Sequence, residues 1–251
     1  MLTESLAGKA VLITGAASGI GEQIARFFAQ HDAHLFLIDK SGDLLNSVEK
    51  DLKAQGATVS TSCVDLCAAT QVEVAINNIQ TEIGAFDVLI NNAGADPRRA
   101  FVDMNEAEWA RVIDVNLNSA YRCTRLVIPR MLERRAGKII NISSVTFHHG
   151  LSQLTHYVAA KGALVGFTRA LAREIGPYNV HVNCITPGAI VTSRESEVAT
   201  PEQIQAVLSL QSLQRRITPL DIARACAFLA TDWSDGMTGQ TINVDGGWIM
   251  H

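Results

Sequence analysis

The feature that most constrains this chain is an alternation of short apolar runs with longer amphipathic segments along most of its length. The short runs are rich in Val and Ile, as β-strands are, and the longer segments repeat apolar residues at helical spacing. This order is typical of a strand, a crossover helix and a parallel strand. Residues 10–14 are almost wholly apolar, which indicates a strand covered on both faces. We therefore predict an α/β fold, a doubly wound, seven-stranded parallel sheet with helices on both faces.

The predicted elements leave one irregular region. Strands are predicted at residues 10–14, 34–39, 58–64, 88–91, 138–142, 181–185 and 241–244. Helices are predicted from Gly19 onward and at residues 42–55, 70–83, 105–134, 155–175 and 219–230. Residues 190–216 mix Glu, Gln and Ser with isolated apolar residues, so we interpret them as a lid over the edge of the sheet. No linker interrupts the pattern, and residues 1–251 are predicted to form a single domain.

The charge balance and the cysteine pattern exclude several classes of protein. The 251 residues carry 25 Asp and Glu against 21 Lys and Arg, a formal charge of −4, without long runs of like charge. We therefore expect no nucleic-acid partner and no membrane partner, because both need a basic surface. We also expect no secretory signal and no membrane span, because no apolar stretch is long enough. Five cysteines without zinc-site or disulfide spacing predict a reducing, cytoplasmic location and no bound metal.

A glycine-rich turn follows the first predicted strand and precedes the first predicted helix. It reads Thr14-Gly15-Ala16-Ala17-Ser18-Gly19-Ile20-Gly21. Gly15 can leave the strand with a positive φ, Gly19 lets a pyrophosphate approach the backbone, and Gly21 lets the helix lie close to the sheet. The start of the helix offers free N–H groups to phosphates. The turn therefore predicts a dinucleotide site, with a purely structural turn as the alternative.

An aspartate at the end of the second predicted strand bears on the choice of dinucleotide. Asp39 follows Gly19 by 20 residues, where a carboxylate can accept hydrogen bonds from the adenosine ribose. The same carboxylate would repel a ribose 2′-phosphate by about 4 kcal/mol at 4 Å and a surface-like dielectric. Asp39 therefore favours NAD over NADP. Lys40 leaves an alternative open, since its ammonium can either offset the repulsion or lie exposed in solvent.

A tyrosine and a lysine four residues apart suggest acid–base chemistry. Tyr157 and Lys161 lie in the predicted helix 155–175, so their side chains share one face. A phenol has a pKa of about 10, and a neighbouring ammonium lowers that pKa by stabilising the phenolate. The pair could thus act as a base near neutral pH. Taken alone, the spacing also fits a chance pair on a surface helix.

Taken together, these residues and several others resemble one family closely. The shared motifs are Thr14 to Gly21, Asn91-Asn92-Ala93-Gly94, Asn116, Ser144, Tyr157, Lys161, Pro187-Gly188 and the closing run 238–247. In their order and spacing the chain resembles the short-chain dehydrogenases/reductases over essentially its whole length. The resemblance implies a single-domain Rossmann fold that binds a dinucleotide and carries out catalysis, with residues 190–216 as the substrate lid.

The resemblance also implies a role for each catalytic residue. Tyr157 would be the general acid/base, and Ser144 would hydrogen-bond the substrate oxygen. Lys161 would lower the pKa of Tyr157 and hold the nicotinamide ribose. Asn116 would position a water that connects Lys161 to solvent. Ser143 is the competing serine, but the family spacing selects Ser144.

The implied cofactor is NAD, and much of the chain would contact it. The implied contacts are Gly15, Ser18, Gly19, Ile20, Gly21, Asp39, Asp65, Leu66, Asn92, Ala93, Gly94, Tyr157, Lys161, Pro187, Gly188, Ile190 and Thr192. Asp65 would meet the adenine amino group, although it could equally cap the next helix. Pro187, Gly188, Ile190 and Thr192 would lie near the nicotinamide.

The substrate is expected to be a small-molecule secondary alcohol or ketone. The segment 155–162 looks most like NAD-linked members that act on ring alcohols, polyols and sugars, and the pocket would include Asp96, Thr146, His149 and Leu154. Arg98 and Arg99 leave a polar or anionic substrate open, or they form a solvated loop. The expected reaction is hydride transfer between NAD(H) and this substrate. The alternatives are reduction of a 3-oxoacyl thioester, usually NADPH-linked in this family, and a non-catalytic NAD-binding sensor. The family also implies a homotetramer.

Overall fold

The chain forms one seven-stranded sheet flanked by helices. The computed structural model describes residues 6–191 and 200–250. The strands are β1 Ala10–Thr14, β2 His34–Asp39, β3 Val59–Cys63, β4 Val88–Asn91, β5 Gly137–Ile142, β6 Val180–Pro187 and β7 Thr241–Val244. Every neighbouring pair is parallel, in the order β3-β2-β1-β4-β5-β6-β7. The predicted doubly wound parallel sheet is therefore confirmed.

Nine α-helices are found in the described residues. They are α1 Gly19–Ala29, α2 Gly42–Ala54, α3 Ala69–Ile83, α4 Glu106–Ile113, α5 Ser119–Arg134, α6 Thr146–His149, α7 Thr155–Ile175, α8 Pro201–Leu210 and α9 Pro219–Ala230. Short 3₁₀ turns lie at Phe101–Asp103, Gly176–Tyr178 and Asp232–Ser234. None of the helices in the described residues is long and apolar enough to cross a bilayer.

One predicted helix is wrong in its interior. Residues 105–134 were expected to form a single helix, but α4 and α5 are separated by a π-helical turn, Asp114–Asn118. The cause lies in the side chain of Asn116, whose Nδ2 donates to Val112 O at 2.9 Å and to Ala95 O at 2.8 Å. The widened turn brings this buried amide to a neighbouring loop. Single-turn π-bulges of this kind occur frequently at functional sites.

The core consists of two apolar layers, one on each face of the sheet. Along β1, Val11 and Ile13 belong to one layer and Leu12 to the other, because successive side chains of a strand point to opposite faces. The first layer contains residues of α1, α2 and α9, and the second contains residues of α3, α5 and α7. Strands β1, β2, β4, β5 and β6 are thus largely buried, whereas the edge strands β3 and β7 are only partly buried.

The order of the strands creates a crevice at the carboxyl edge of the sheet. The chain proceeds outward from β1 to β2 and β3, then returns to place β4 on the other side of β1. Connections leave β1 and β4 in opposite directions at this switch point, which is where open α/β sheets bind ligands. The glycine turn after β1 and the Asn92–Gly94 segment after β4 meet there.

The irregular region after β6 lies partly outside the described residues. Ile190 pairs with Ile217 in an isolated parallel bridge, residues 192–199 are not described, and α8 begins after the capping residue Thr200. Helix α8 has no buried residue. After it, the backbone N–H groups of Ser212 and Leu213 both donate to Gly246 O, at 3.0 and 2.9 Å. The segment after α8 therefore lies against the turn that follows β7.

Candidate active site

The glycine turn is joined to the end of β4 by hydrogen bonds. The buried Thr14 hydroxyl accepts from the backbone N–H groups of Asn92 and Ala93, at 3.0 and 3.2 Å. In return, Asn92 Nδ2 donates to the carbonyls of Thr14 and Gly15, both at 3.0 Å. Two loops that are far apart in sequence are thus held in one geometry. This role of Thr14 was not predicted from the sequence, because Thr14 is simply the last residue of the first predicted strand.

Two glycines of the turn have a backbone conformation that other residues rarely adopt. Gly15 has φ +66° and Gly19 has φ +58°. A Cβ on Gly15 would lie 2.8 Å from Ala93 Cα, and one on Gly21 would overlap Gly15 O and lie 2.6 Å from Asn92 Nδ2. No side chain fits at either place. At Gly15 and Gly21, therefore, no side chain covers the backbone of the turn, and its N–H groups are left open to a ligand.

The two acids expected near the adenosine are held by backbone N–H groups. Asp39 Oδ2 accepts from Ala17 N at 3.1 Å, and its Oδ1 accepts from Ser41 N at 2.9 Å. The half-buried carboxylate is thus held against the glycine turn, at the end of β2. Asp65 is exposed, and its Oδ1 accepts from Cys67 N at 3.0 Å in the turn before α3. This bond closes a local turn and does not cap α3, whose N-cap residue Ala68 makes no side-chain cap bond.

The remaining residues expected near the cofactor lie in segments that follow β1, β3 and β6. Ser18 precedes α1 without a side-chain cap bond, Ile20 is half-buried in its first turn, and the buried Leu66 follows Asp65. On the far side, Val145 N donates to Pro187 O at 3.0 Å, and Gly188 N donates to Val244 O at 3.1 Å. Ile190 is 8% exposed, and Thr192 lies outside the described residues.

Lys161 and the two adjacent serines lie at the end of β5. Lys161 is buried, and its Nζ donates to Ile142 O at 2.8 Å. Ser143 Oγ donates to the backbone carbonyl of Lys161 at 2.7 Å, so this hydroxyl anchors α7 to β5. Ser144 Oγ instead accepts from Thr146 N and Thr146 Oγ1, at 3.2 and 3.0 Å, and it lies close enough to the Tyr157 phenol to affect the pKa of that group. Of the two serines, Ser144 is the one that meets the phenol.

The acidity of the tyrosine and the lysine departs from the sequence-based expectation. Burial raises the pKa of Tyr157 to about 12, the hydrogen bond with Ser144 opposes the rise, and the charge of Asp96 adds to it. Burial lowers the pKa of Lys161 to about 8. The lysine was expected to lower the pKa of the phenol, but its Nζ is 5.5 Å from the Tyr157 ring centroid and bonded to Ile142 O. Desolvation outweighs the ammonium in this arrangement.

Asn116 holds the loop after β4 close to Lys161. Its Nδ2 donates to Ala95 O at 2.8 Å, and its Oδ1 accepts from Ala95 N at 3.3 Å. A Cβ on Gly94 would lie 2.7 Å from Asn116 Oδ1 and 3.4 Å from Lys161 Nζ. Glycine is therefore needed where this loop passes the lysine. The amide of Asn116 positions backbone here, and sequence reasoning had assigned it only to a water.

The residues expected in the substrate pocket come from three separate segments. Thr146 hydrogen-bonds Ser144, Leu154 is buried at the start of α7, and Asp96 is exposed after Ala95. The His149 ring stacks on Trp248 with centroids 5.0 Å apart and planes inclined by 20°. Nothing in the local sequence of either residue indicates this contact.

A buried polar chain beneath the site also escaped prediction. Asn91 Nδ2 donates to Thr124 Oγ1 at 3.0 Å and to Asn141 Oδ1 at 2.9 Å, and Asn141 Nδ2 donates to Thr168 Oγ1 at 2.9 Å. These bonds connect β4 and β5 to α5 and α7. The available signal was an asparagine inside each of two apolar strand runs, since a polar side chain buried in a sheet requires a partner.

In the described ranges, no cluster of three or more potential metal ligands is present.

Comparison with known proteins identifies the family. A family model described as Enoyl-(Acyl carrier protein) reductase matches residues 15–249. The D-xylose 1-dehydrogenase of Caulobacter vibrioides is 38% identical over 244 residues, 97% of each chain.

Two solved structures also superpose over almost the whole chain. One, from Agrobacterium tumefaciens and provisionally assigned as a gluconate dehydrogenase, has a TM-score of 0.93 at 30% identity and covers 99% of this chain and 98% of its own. The other is a 3-oxoacyl-[acyl-carrier protein] reductase of Brucella melitensis with bound NAD, with a TM-score of 0.90 at 32% identity and coverage of 99% and 94%. The chain therefore belongs to the short-chain dehydrogenase/reductase family and is an oxidoreductase that acts on CH–OH groups.

Proposed function

We propose that this oxidoreductase transfers a hydride between NAD(H) and a secondary alcohol or ketone of the ring alcohol, polyol or sugar type. The observation that carries the proposal is the position of Ser144 beside the half-buried Tyr157, with Lys161 on the same face of α7. A serine and a phenol that meet in a crevice can hold one oxygen atom between two O–H groups. That is the arrangement needed to polarise a carbonyl or to take the proton of an alcohol.

The crevice fits a dinucleotide. Bare backbone at Gly15, Gly19 and Gly21 suits close approach by a pyrophosphate, and α1 directs its free N–H groups there. Asp39 lies at the end of β2 with its carboxylate held by Ala17 N and Ser41 N, and its charge favours a ribose diol over a 2′-phosphate. When bound, the nicotinamide supplies the acceptor or donor of the hydride.

The chain's own groups move the proton and hold the substrate. In alcohol oxidation, the Tyr157 phenolate accepts the hydroxyl proton while the carbinol C–H bond breaks and its electron pair leaves with the hydrogen. In ketone reduction, the phenol returns the proton to the carbonyl oxygen. Ser144 donates a hydrogen bond to that oxygen, while Lys161 and the loop held by Asn116 order the nicotinamide side of the crevice.

The substrate class draws support from the relatives and from the pocket. The Caulobacter vibrioides relative is a D-xylose 1-dehydrogenase. The stacked pair His149 and Trp248 offers an aromatic surface of the kind that packs against a ring. Reduction of a 3-oxoacyl thioester is the second candidate, because the NAD-bound Brucella melitensis structure is such a reductase.

A screen of cofactors and substrates tests the proposal. The protein is incubated with NAD or NADP and a panel of aldoses, polyols and cyclic alcohols, and separately with NADH or NADPH and a 3-oxoacyl thioester, while the absorbance of the reduced cofactor is followed. We expect turnover of an alcohol with NAD. Turnover of the thioester alone would overturn the substrate class, and a strict requirement for NADPH would overturn the role of Asp39.

The variant Tyr157→Phe tests the proton transfer. Removing the hydroxyl is expected to lower kcat by about 10²- to 10⁴-fold, the usual contribution of a general acid/base. NAD binding measured by calorimetry should be retained, because the ring still fills its half-buried position. Tyr178→Phe is the matched control, since Tyr178 is exposed beside Arg135. Equal turnover in wild type and Tyr157→Phe would exclude the mechanism.

We propose further that the protein is a cytoplasmic homotetramer whose residues 190–216 act as a lid. Cys123, Cys184 and Cys226 are buried as free thiols, which fits a reducing compartment. Trp109 and Tyr121 on α4 and α5 are 36% and 51% exposed, and such aromatic residues are enriched at interfaces. Light scattering of the purified protein should give the mass of a tetramer, and a monomeric mass would contradict the assembly.

A further inference from the structure

The loop that follows β4 is fastened at both ends. Ala95 is bonded through both its N–H and its carbonyl to the amide of Asn116, at 3.3 and 2.8 Å. Four residues later, Arg99 N donates to Gln153 O at 2.8 Å, immediately before Leu154 and helix α7. The guanidinium of Arg99 also binds Glu108 Oε1 through Nε and Nη2, at 3.1 and 2.8 Å. Asp96 therefore lies in a short span stretched between Asn116 and the start of the catalytic helix.

Asp96 has a free carboxylate within electrostatic reach of the catalytic pair. It is exposed, and it makes no hydrogen bond or ion pair with any residue in the ranges 6–191 and 200–250. Burial raises the pKa of Tyr157 and Ser144 lowers it, and the charge of Asp96 adds to the rise. Burial lowers the pKa of Lys161, whereas Cys184 and the charge of Asp96 raise it. Gly94, two residues before Asp96, passes Lys161 so closely that a Cβ on it would lie 3.4 Å from Nζ, so the loop that carries Asp96 borders the crevice in which the two catalytic groups lie.

The neighbouring cations do not neutralise this carboxylate. Arg99 is already occupied by Glu108, and Lys161 Nζ is bonded to Ile142 O. Arg98 is exposed and makes no ion pair with an acid in the described parts of the chain. Among the described residues, Asp96 is therefore an acid of this loop whose charge no ion pair offsets. An anionic substrate, which Arg98 and Arg99 had left open from sequence, would have to approach this charge.

We propose that Asp96 sets the charge preference of the substrate site: its carboxylate accepts hydrogen bonds from hydroxyl groups beside the reacting carbinol and repels substrates that carry a carboxylate or phosphate there. The inference rests on the proposed function and narrows it to neutral polyhydroxylated substrates. An ionised carboxylate can accept about four hydrogen bonds, and bonds to a charged acceptor are stronger than neutral ones. A row of substrate hydroxyls suits such a group, whereas a second carboxylate leaves two like charges facing each other.

The test compares two substrates of the same length in one neutralised variant. Wild type, Asp96→Asn and the control Asp103→Asn are assayed with NAD and either a neutral polyol or the aldonic acid of equal carbon number. Asp103 is an exposed acid in the nearby turn Phe101–Asp103, and its side chain has no hydrogen-bond partner among the described residues. Asp96→Glu serves as a second variant, which keeps the charge if the asparagine perturbs the loop.

Wild type is expected to prefer the polyol. Asp96→Asn should lower kcat/KM for the polyol by about 10- to 100-fold, the loss expected when hydrogen bonds to a charged group are weakened, and should raise it for the aldonic acid. Asp103→Asn should change neither, and Asp96→Glu should keep the preference for the polyol. In Asp96→Asn the alkaline rise of kcat in alcohol oxidation should shift to lower pH, because Asp96 raises the pKa of Tyr157.

Two failures can be distinguished. If wild type oxidises the polyol and the ratio of the two substrates is unchanged in Asp96→Asn, this inference is wrong while the proposed function stands. If wild type turns over only the thioester, the proposed function is wrong and the role of Asp96 fails with it.

Discussion

The two sides of the crevice are held together by different means. On the nucleotide side, Thr14, Asn92 and Gly15 lie at strand ends and are tied by hydrogen bonds that each join a side chain to the backbone. On the substrate side, exposed segments meet through side chains or at single carbonyls, as in the stacking of His149 on Trp248 and the bonds to Gly246 O. The nucleotide side therefore tolerates little variation in sequence, whereas the substrate side can change residue by residue. A family that keeps a dinucleotide site and varies its substrates needs this division.

The largest difference between the two sides should appear on substitution of a glycine in the nucleotide turn. In Gly21→Ala the new methyl group would overlap Gly15 O, so the turn or α1 must shift. Overpacking of this kind costs about 1–3 kcal/mol, which corresponds to roughly 10- to 100-fold weaker cofactor binding. Gly236→Ala is the control, because nothing lies within 4 Å of its Cβ position. Calorimetric titration with NAD measures both, and equal affinity in the two variants would contradict the rigid turn.

A smaller effect is expected from neutralising the acid at the end of β2. Asp39→Asn removes the charge that disfavours a 2′-phosphate and should shift the ratio of kcat/KM for NAD over NADP toward NADP by about 10- to 100-fold, less than the unscreened repulsion because solvent reaches the site. Asp43→Asn, at an exposed acid in the first turn of α2, should leave the ratio unchanged. Steady-state kinetics with both cofactors checks this, and an unaltered ratio in Asp39→Asn would show that another group selects the cofactor.

On the substrate side, loss of the aromatic contact should affect substrate affinity more than turnover. Trp248→Ala releases the His149 ring, and an aromatic pair is worth about 0.5–1.5 kcal/mol, so KM for the alcohol should rise by roughly 2- to 10-fold. NAD binding should be unchanged, since the nucleotide turn does not depend on this contact. Trp233→Ala, at an exposed tryptophan in the turn Asp232–Ser234, is the control. A fall in kcat without a change in KM would place Trp248 elsewhere in the mechanism.

The smallest change is expected at a buried glutamine of the substrate side. Gln211 is 5% exposed, and its Oε1 and Nε2 have no hydrogen-bond partner among the described residues. Gln211→Met removes two unsatisfied polar atoms and should leave the free energy of unfolding unchanged or raise it by about 1 kcal/mol. Thr14→Val, on the nucleotide side, strands two N–H groups and should lower it by about 1–3 kcal/mol. Urea unfolding of both variants measures the contrast, and destabilisation by Gln211→Met would reveal a partner for its amide.

Much of the fold was predictable because buried parallel strands need uninterrupted apolar runs. Residues 10–14, 88–91 and 241–244 were predicted with the bounds that the structure has, and so were helices α7 and α9. The interior of 105–134 was predicted wrongly, since the π-turn depends on Asn116 reaching Ala95 in another loop. The helical spacing of apolar residues does not indicate whether a polar side chain bonds to a residue outside its own helix.

The candidate site divides in the same way. The sequence predicted the glycine turn after β1, Asp39 at the end of β2, and Tyr157 and Lys161 on one face of a helix. Helix and strand periodicity determine which side chains share a face. The pKa of Tyr157 was predicted in the wrong direction, since burial depends on what surrounds the phenol.

By itself, the sequence determined which segments form the sheet and which chemical groups are available. These are apolar runs of strand length, a glycine turn after the first of them, and a tyrosine four residues before a lysine. These are local properties, set by backbone sterics and by the period of each element. Only the tertiary structure decided that the Ser143 hydroxyl anchors α7 to β5, and that Arg99 is occupied by Glu108 while Asp96 stays free. Such choices depend on distances between segments far apart in sequence, which no local pattern specifies.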